Sequence, residues 1–286
     1  MFQGSGLMFE DGHLMKFNGV NDNSTQGRRN TQSGCKFSHT DAATITMTPD
    51  GVDTYARVIV KNQGGKINSA MVRSAITCAL TTSGAGGLDT GSEAVDTGYY
   101  VFLITDGNNR NSRLLCSLSE TSPTLPAGYP FCSAPIWFIS NNGDGDIREF
   151  IDVDGRCYYT ETGDTALLTM GVAYSGWTVI DASVHAPNNS RVWLKTYAHN
   201  ESSSDWNNVI IHFNDSDASD GTYFTIKHGN VILSLSGNPG TQFVFEHGLV
   251  TAATGIYYKW GSNPEVNPGG SFPTNFSMWI KGWTLK

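Results

Sequence analysis

Charge is scarce in this sequence. Asp, Glu, Lys and Arg make up 15% of the 286 residues, against roughly 25% in ordinary globular chains. The 18 Lys and Arg are scattered, Arg28-Arg29 is the one basic pair, and the net charge is −8. A groove for a polyanion calls for clustered basic residues, so no nucleic-acid partner is expected. No apolar run approaches the eighteen or so residues that span a bilayer, and membrane insertion is not expected. The first fifteen residues contain Glu10, Asp11 and His13, which does not fit a secretory signal.

Metal and catalytic signatures are also missing. The five cysteines, Cys35, Cys78, Cys116, Cys132 and Cys157, include no CxxC pair, so zinc spacing is absent. Their odd number argues against a disulfide framework. Cys78 and Cys116 fall on apolar faces and read as buried free thiols, which fits assembly in a reducing cytosol. His185, His199, His212, His228 and His247 share no HxH or HExxH spacing. NNGDGDIREF and NDSDASDG carry acids at alternate positions, as calcium loops do, but neither completes the loop pattern with its distal Glu. There is no GxSxG and no GxxxxGK[ST]. The expectation is a protein with no catalytic residue, no metal and no cofactor.

What fills the chain is Gly, Ser, Thr and Asn together with 39% apolar residues, the composition of a loop-rich all-β protein with a real core. The stretch GAGGLDTGSEAVDTGYYVFLI, Gly84 to Ile104, poses the main question. Glycine-rich loops cradle phosphates when a helix follows. Here Tyr99 to Ile104 is β-branched and aromatic on both alternating faces, which predicts a strand buried on both sides. The loop therefore reads as a joint.

Period-two patterning predicts strands in TITMTPDGVDTYARVIVKNQGG, with a turn at Pro49-Asp50-Gly51. AMVRSAITCALTT places Val72, Ser74, Ile76, Cys78 and Leu80 on one face and predicts a further strand. RLLCSL, IWFIS and IREFID follow, the last after a hairpin turn at NNGDGD. Beyond Tyr159 come ALLTMGVAY, WTVID, RVWLKTYA, NVIIHF, TYFTIK, NVILSLS, QFVFEH, GIYYKW and FSMWIKGWTL. Turns every eight to twelve residues predict an all-β fold, an antiparallel β-sandwich of jelly-roll-like kind. The expected organisation is an extended N-terminal arm over 1–50, a central β module over 51–160 and a C-terminal β-sandwich over 161–286.

The central segment resembles a module of tailed-bacteriophage tail-fibre and receptor-binding proteins. The resemblance is carried by GAGGLDTG at Gly84 to Gly91, by SETSPTLPAGY at Ser119 to Tyr129, and by NGDGDIREF at Asn142 to Phe150. It covers about Gly84 to Tyr159. The ending WIKGWTLK is similar to the last strand of such proteins. Members of the family usually carry basic residues after AGY, whereas PFCSAPIW follows here. The resemblance implies a structural virion protein, a tail-fibre or receptor-binding subunit that recognises a host cell-surface glycan or protein without chemistry. It implies a homotrimer attached to other virion proteins through the N-terminal arm. The alternatives are a capsid spike, decoration or baseplate component, and then a glycan depolymerase.

Aromatic rings stack on sugars, and polar loop side chains bind hydroxyls. Trp206 in SSSDWNN and Trp260 in YYKWGSNPE stand beside turn residues, and His199 shares the loop of Trp206. These three are the candidate receptor- or glycan-binding residues. Trp137, Trp193 and Trp279 lie within strands and are expected in the core or at a subunit interface.

Overall fold

The structure is a computed structural model that describes residues 32–50, 55–108, 111–160, 168–170, 178–188, 190–199, 209–214, 241–250, 256–262 and 275–285. For 32–33, 168–170, 178–180, 194–199, 209–214, 241–250, 256–262 and 275–278 the description is of the backbone alone. Residues 1–31 of the expected arm lie outside it.

The described chain is strand and turn, without helix. In order, the strands are β1 (Gln32–Ser33), β2 (Cys35–Asp41), β3 (Thr44–Pro49), β4 (Ala56–Asn62), β5 (Ile67–Val72), β6 (Ile76–Ala79), β7 (Gly98–Thr105), β8 (Ser112–Ser117), β9 (Phe131–Ser133) and β10 (Trp137–Ser140). There follow β11 (Phe150–Val153), β12 (Arg156–Tyr159), β13 (Leu168–Met170), β14 (Thr178–Ile180), β15 (Arg191–His199), β16 (Val209–Asn214), β17 (Thr241–Val250), β18 (Ile256–Ser262) and β19 (Asn275–Thr284).

Alternation explains most of them. In β3, Ile45 and Met47 are buried and Thr44, Thr46 and Thr48, which alternate with them, are partly exposed; in β4, Ala56, Val58 and Val60 are buried and Arg57 is exposed. β7 is buried from Tyr99 to Thr105, as its two-faced apolar run predicts. β11 and β12 are joined by Asp154-Gly155, both at positive φ, 53° and 78°, the conformation a two-residue type I′ hairpin requires.

Two antiparallel sheets pack face to face, so the fold is the all-β sandwich read from the sequence. The seven-stranded sheet runs β1-β4-β9-β7-β10, with β5 on β4 and β8 on β7. The nine-stranded sheet runs β17-β15-β19-β12-β11-β2-β3-β6, with β13 on β19. A third group, β14-β18-β16, pairs separately. Strands at the two ends of the chain meet in the nine-stranded sheet: β2 pairs β11, and β19 pairs β12 through Cys157 opposite Trp283.

Between the sheets lies an aromatic core. Phe37 stacks on Trp137 with centroids 4.8 Å apart and planes 11° apart; Trp137 also meets Trp283 at 4.8 Å and Phe150 at 5.5 Å. Each such fully buried ring contributes roughly 1.5–3 kcal/mol. Trp137 is thus core, as its place in a strand predicts.

One strand is two. AMVRSAITCALTT divides at Arg73–Ala75, where all three residues are exposed. β5 before the break pairs β4 in the seven-stranded sheet, and β6 after it pairs β3 in the nine-stranded sheet. The alternation runs through the break because both halves bury residues against the same core from opposite sheets.

Candidate functional site

The glycine-rich stretch is wired to its own backbone. Gly84 N–H donates to Leu88 O at 2.7 Å, Gly87 N–H to Gly84 O at 2.9 Å, and Leu88 N–H to Thr82 O at 2.8 Å. Gly86 N–H donates to Leu114 O and Asp89 N–H to Cys116 O, both at 2.8 Å, and so the loop lies along β8. A phosphate cradle needs free amides that converge on the ligand, and these point at carbonyls. A Cβ at Gly87 would collide with the carbonyl of Thr82, so close backbone approach accounts for that glycine.

Asp89 is a clamp. Its carboxylate accepts from Thr90 N–H at 2.7 Å, Ser117 Oγ–H at 2.7 Å and Thr124 N–H at 2.9 Å. The bond to Thr124 ties the proline-rich connection to the glycine loop. Asn141 does the same for the third motif. Its Nδ2 donates to Glu93 Oε1 at 3.1 Å, Ala94 O at 3.2 Å and Gly145 O at 2.9 Å. Asn142 Oδ1 then accepts from the N–H groups of Asp144 and Asp146, at 3.0 and 2.9 Å, shaping the NGDGD turn. The glycine loop is thereby tied to the proline-rich connection through Asp89, and the Glu93-Ala94 stretch after it to the NGDGD turn through Asn141. Among the described residues no three His, Cys, Asp or Glu come together as a metal group.

An open groove forms where the proline-rich connection meets the β4–β5 turn. Its volume is about 480 Å³, and Asn62 and Gln63 face Leu125, Pro126, Tyr129 and Pro130 across it. Tyr129 and Leu125 pack partly on the core, which fixes the floor. Asn62 Oδ1 accepts from Lys66 N–H at 2.8 Å, which holds the turn. A half-buried ring, two prolines and two amides can take the apolar face and the hydroxyls of a sugar. Tyr129 is not among the residues expected from the sequence. The signal was present: an aromatic between Gly128 and Pro130, outside any apolar run, meets the criterion that selected Trp206 and Trp260.

Trp206 lies outside the described residues. His199 ends β15, paired with Asn275 of β19, and Trp260 lies within β18, paired with Ile211 of β16; their side chains are outside the description. His199 and Trp260 thus belong to different sheets.

A buried polar chain lies elsewhere in the sandwich. Trp283 Nε1–H donates to Tyr159 Oη at 3.2 Å, and Tyr159 Oη–H donates to the His185 carbonyl at 2.6 Å. Burial pushes the Tyr159 hydroxyl well above its ordinary pKa. Burial, with the Arg148 guanidinium nearby, lowers His185 to about 4. Both side chains are neutral at pH 7, and the structural link runs from the Tyr159 hydroxyl to the His185 backbone carbonyl.

The cysteines are free thiols. Cys78 and Cys116 are buried with Sγ atoms 2.9 Å apart, and Cys78 Sγ–H reaches Gly87 O at 3.4 Å. Compared with known proteins, the chain matches no family model and no curated protein.

Proposed function

We propose that this chain is a structural virion protein of a tailed phage, a tail-fibre or receptor-binding subunit that recognises the host surface by non-covalent binding. The observation that carries the reading is the tying together of the phage-like segments. Asp89 ties GAGGLDTG to SPTLPAGY, and Asn141 ties the Glu93-Ala94 stretch that follows the glycine loop to NGDGD; loops on such a scaffold are free to vary for recognition. The groove of Asn62, Gln63 and Tyr129 is one binding surface; Trp206, Trp260 and His199 are further receptor contacts. The subunits form a homotrimer, and weak sites gain from avidity.

The test combines immunogold labelling of intact virions with host-cell binding by the purified chain. Gold on the tail tip and saturable cell binding support the reading. Gold on the capsid or baseplate moves the chain to the spike, decoration or baseplate alternative. Release of reducing sugar from host polysaccharide identifies a depolymerase instead. Light scattering at micromolar concentration gives a trimer of the 30.9 kDa chain; a stable monomer refutes that part.

A further inference from the structure

The outer face of the nine-stranded sheet carries residues that a sheet exposed only to water does not need. In β11 the alternation is inverted: Phe150 and Asp152 point to the core, while Ile151 and Val153 are 51% and 46% exposed. Register then extends the row across neighbouring strands. Ile151 lies opposite Tyr158, Tyr158 opposite Gly282, and Gly282 opposite Trp193. Directly paired residues share a face and stand roughly 4.8 Å apart. Tyr158 and Trp193, two strands apart, lean together across Gly282, with ring centroids 5.4 Å apart and planes tilted by 33°. Gly282 leaves that space because a Cβ there would strike the carbonyl of Cys157. On the other side of Ile151 the row continues in the hydroxyls of Ser38 and Thr46.

The adjacent row on the same face is basic. Arg156 lies opposite Val153 and Thr284, and Arg191 lies opposite Thr284. Lys36 lies two residues from Ser38 on that face. All three cations are exposed, and the Arg156 guanidinium sits 5.9 Å from the centroid of Trp193. Glu149 and Asp154 bound the strip at the two ends of β11. In a chain of net charge −8, a row of three cations beside a row of aromatic, apolar and hydroxyl groups is a local reversal of sign.

We propose that this strip binds an extended acidic polysaccharide, its ring faces on Tyr158, Trp193 and Ile151 and its anionic groups on Lys36, Arg156 and Arg191. Charge complementarity selects this occupant. A two-fold pairing with a second copy would bring this patch of cations against itself, and in the heterologous contact of a trimer the patch would have to meet an acidic surface of the next subunit. The inference rests on the host-surface reading above and names its ligand class.

The probe is polygalacturonate, titrated calorimetrically into the full chain, with neutral dextran and a single-stranded oligonucleotide alongside. The expected result is saturable polygalacturonate binding that weakens as salt rises from about 50 to about 200 mM, with no dextran binding and weaker oligonucleotide binding. Lys36→Glu/Arg191→Glu, at exposed positions, is expected to weaken binding about tenfold or more with an unchanged unfolding midpoint. Trp193→Ala is expected to do the same. Should Trp193→Ala unfold, the charge-reversal variant alone decides. No polygalacturonate binding, equal dextran binding, tighter oligonucleotide binding, or a folded charge-reversal variant that binds like the parent overturns the proposal. An oligomer, dimer or trimer, that the charge-reversal variant dissociates assigns the face to a second copy and also overturns it. Host-cell attachment without polygalacturonate binding removes this site and leaves the proposed function standing. Polygalacturonate binding by a chain that labels no virion does the reverse.

Discussion

Trp137 and Trp283 occupy the same core, are 2% and 0% exposed and touch each other, yet replacing each by Phe has unequal consequences. Both substitutions remove the same atoms and leave a similar void, so that cost is common to both and drops out of the comparison. The difference lies in one N–H. Trp283 Nε1–H donates to Tyr159 Oη at 3.2 Å, a bond of about 1 kcal/mol net. Trp137 Nε1 is buried with no hydrogen-bond partner, and removing an unpartnered buried donor recovers about 1–3 kcal/mol. Trp283→Phe is therefore expected to be less stable than Trp137→Phe by about 2–4 kcal/mol. At about 2–4 °C per kcal/mol for a domain of this size, the melting midpoints separate by roughly 10 °C. The assay is thermal and urea unfolding of both variants, with near-ultraviolet circular dichroism to confirm native packing. Equal destabilisation, or the reverse order, would refute the assignment of hydrogen-bond status as the deciding term.

Three further outcomes follow from the same structure. Asp89→Ala leaves the Thr124 amide and the Ser117 hydroxyl without their acceptor; it is expected to cost about 1–3 kcal/mol and to open the 118–130 connection to limited proteolysis before the rest of the sandwich. His185 has its pKa lowered to about 4 by burial, so the unfolded chain takes up a proton first. The stability it confers is complete above the unfolded value of about 6.5 and is lost as pH falls towards 4. Melting points across that window should fall for the parent and flatten for His185→Gln; parallel curves would count against it. Burial raises Cys116 and Cys157 and pushes Cys132 up to about 12. Iodoacetamide at pH 8 should therefore label these three only after denaturation, and rapid labelling of the native protein, read by mass spectrometry, would contradict the packing.

Most of the described strands were legible because period two is a local property. TITMTP and ARVIVKN announce one buried face each, and Tyr99 to Ile104 announces two. The glycine loop was legible as a joint because no helix follows it. The break at Arg73–Ala75 was not legible, because β5 and β6 keep one alternation while they belong to two sheets. The Tyr129 groove was missed because its other wall, Asn62 and Gln63, comes from a distant turn.

The sequence by itself determined the all-β class, the buried thiols at Cys78 and Cys116 and the joint at Gly84–Gly91, since each depends on neighbours along the chain. Tertiary structure decided which face of β11 looks inward. FIDV has apolar residues on both faces, and a shift of one residue would exchange them. Asp152 settles the matter: inside the sandwich its carboxylate accepts from Phe37 N–H at 3.0 Å and Gly155 N–H at 2.8 Å, partners more than a hundred and only three residues away. Ile151 and Val153 are thereby turned outward. The same strand register gathers Lys36, Arg156 and Arg191 onto one face of a chain whose basic residues are scattered in sequence, because hydrogen-bonded pairing acts between strands without regard to their separation along the chain.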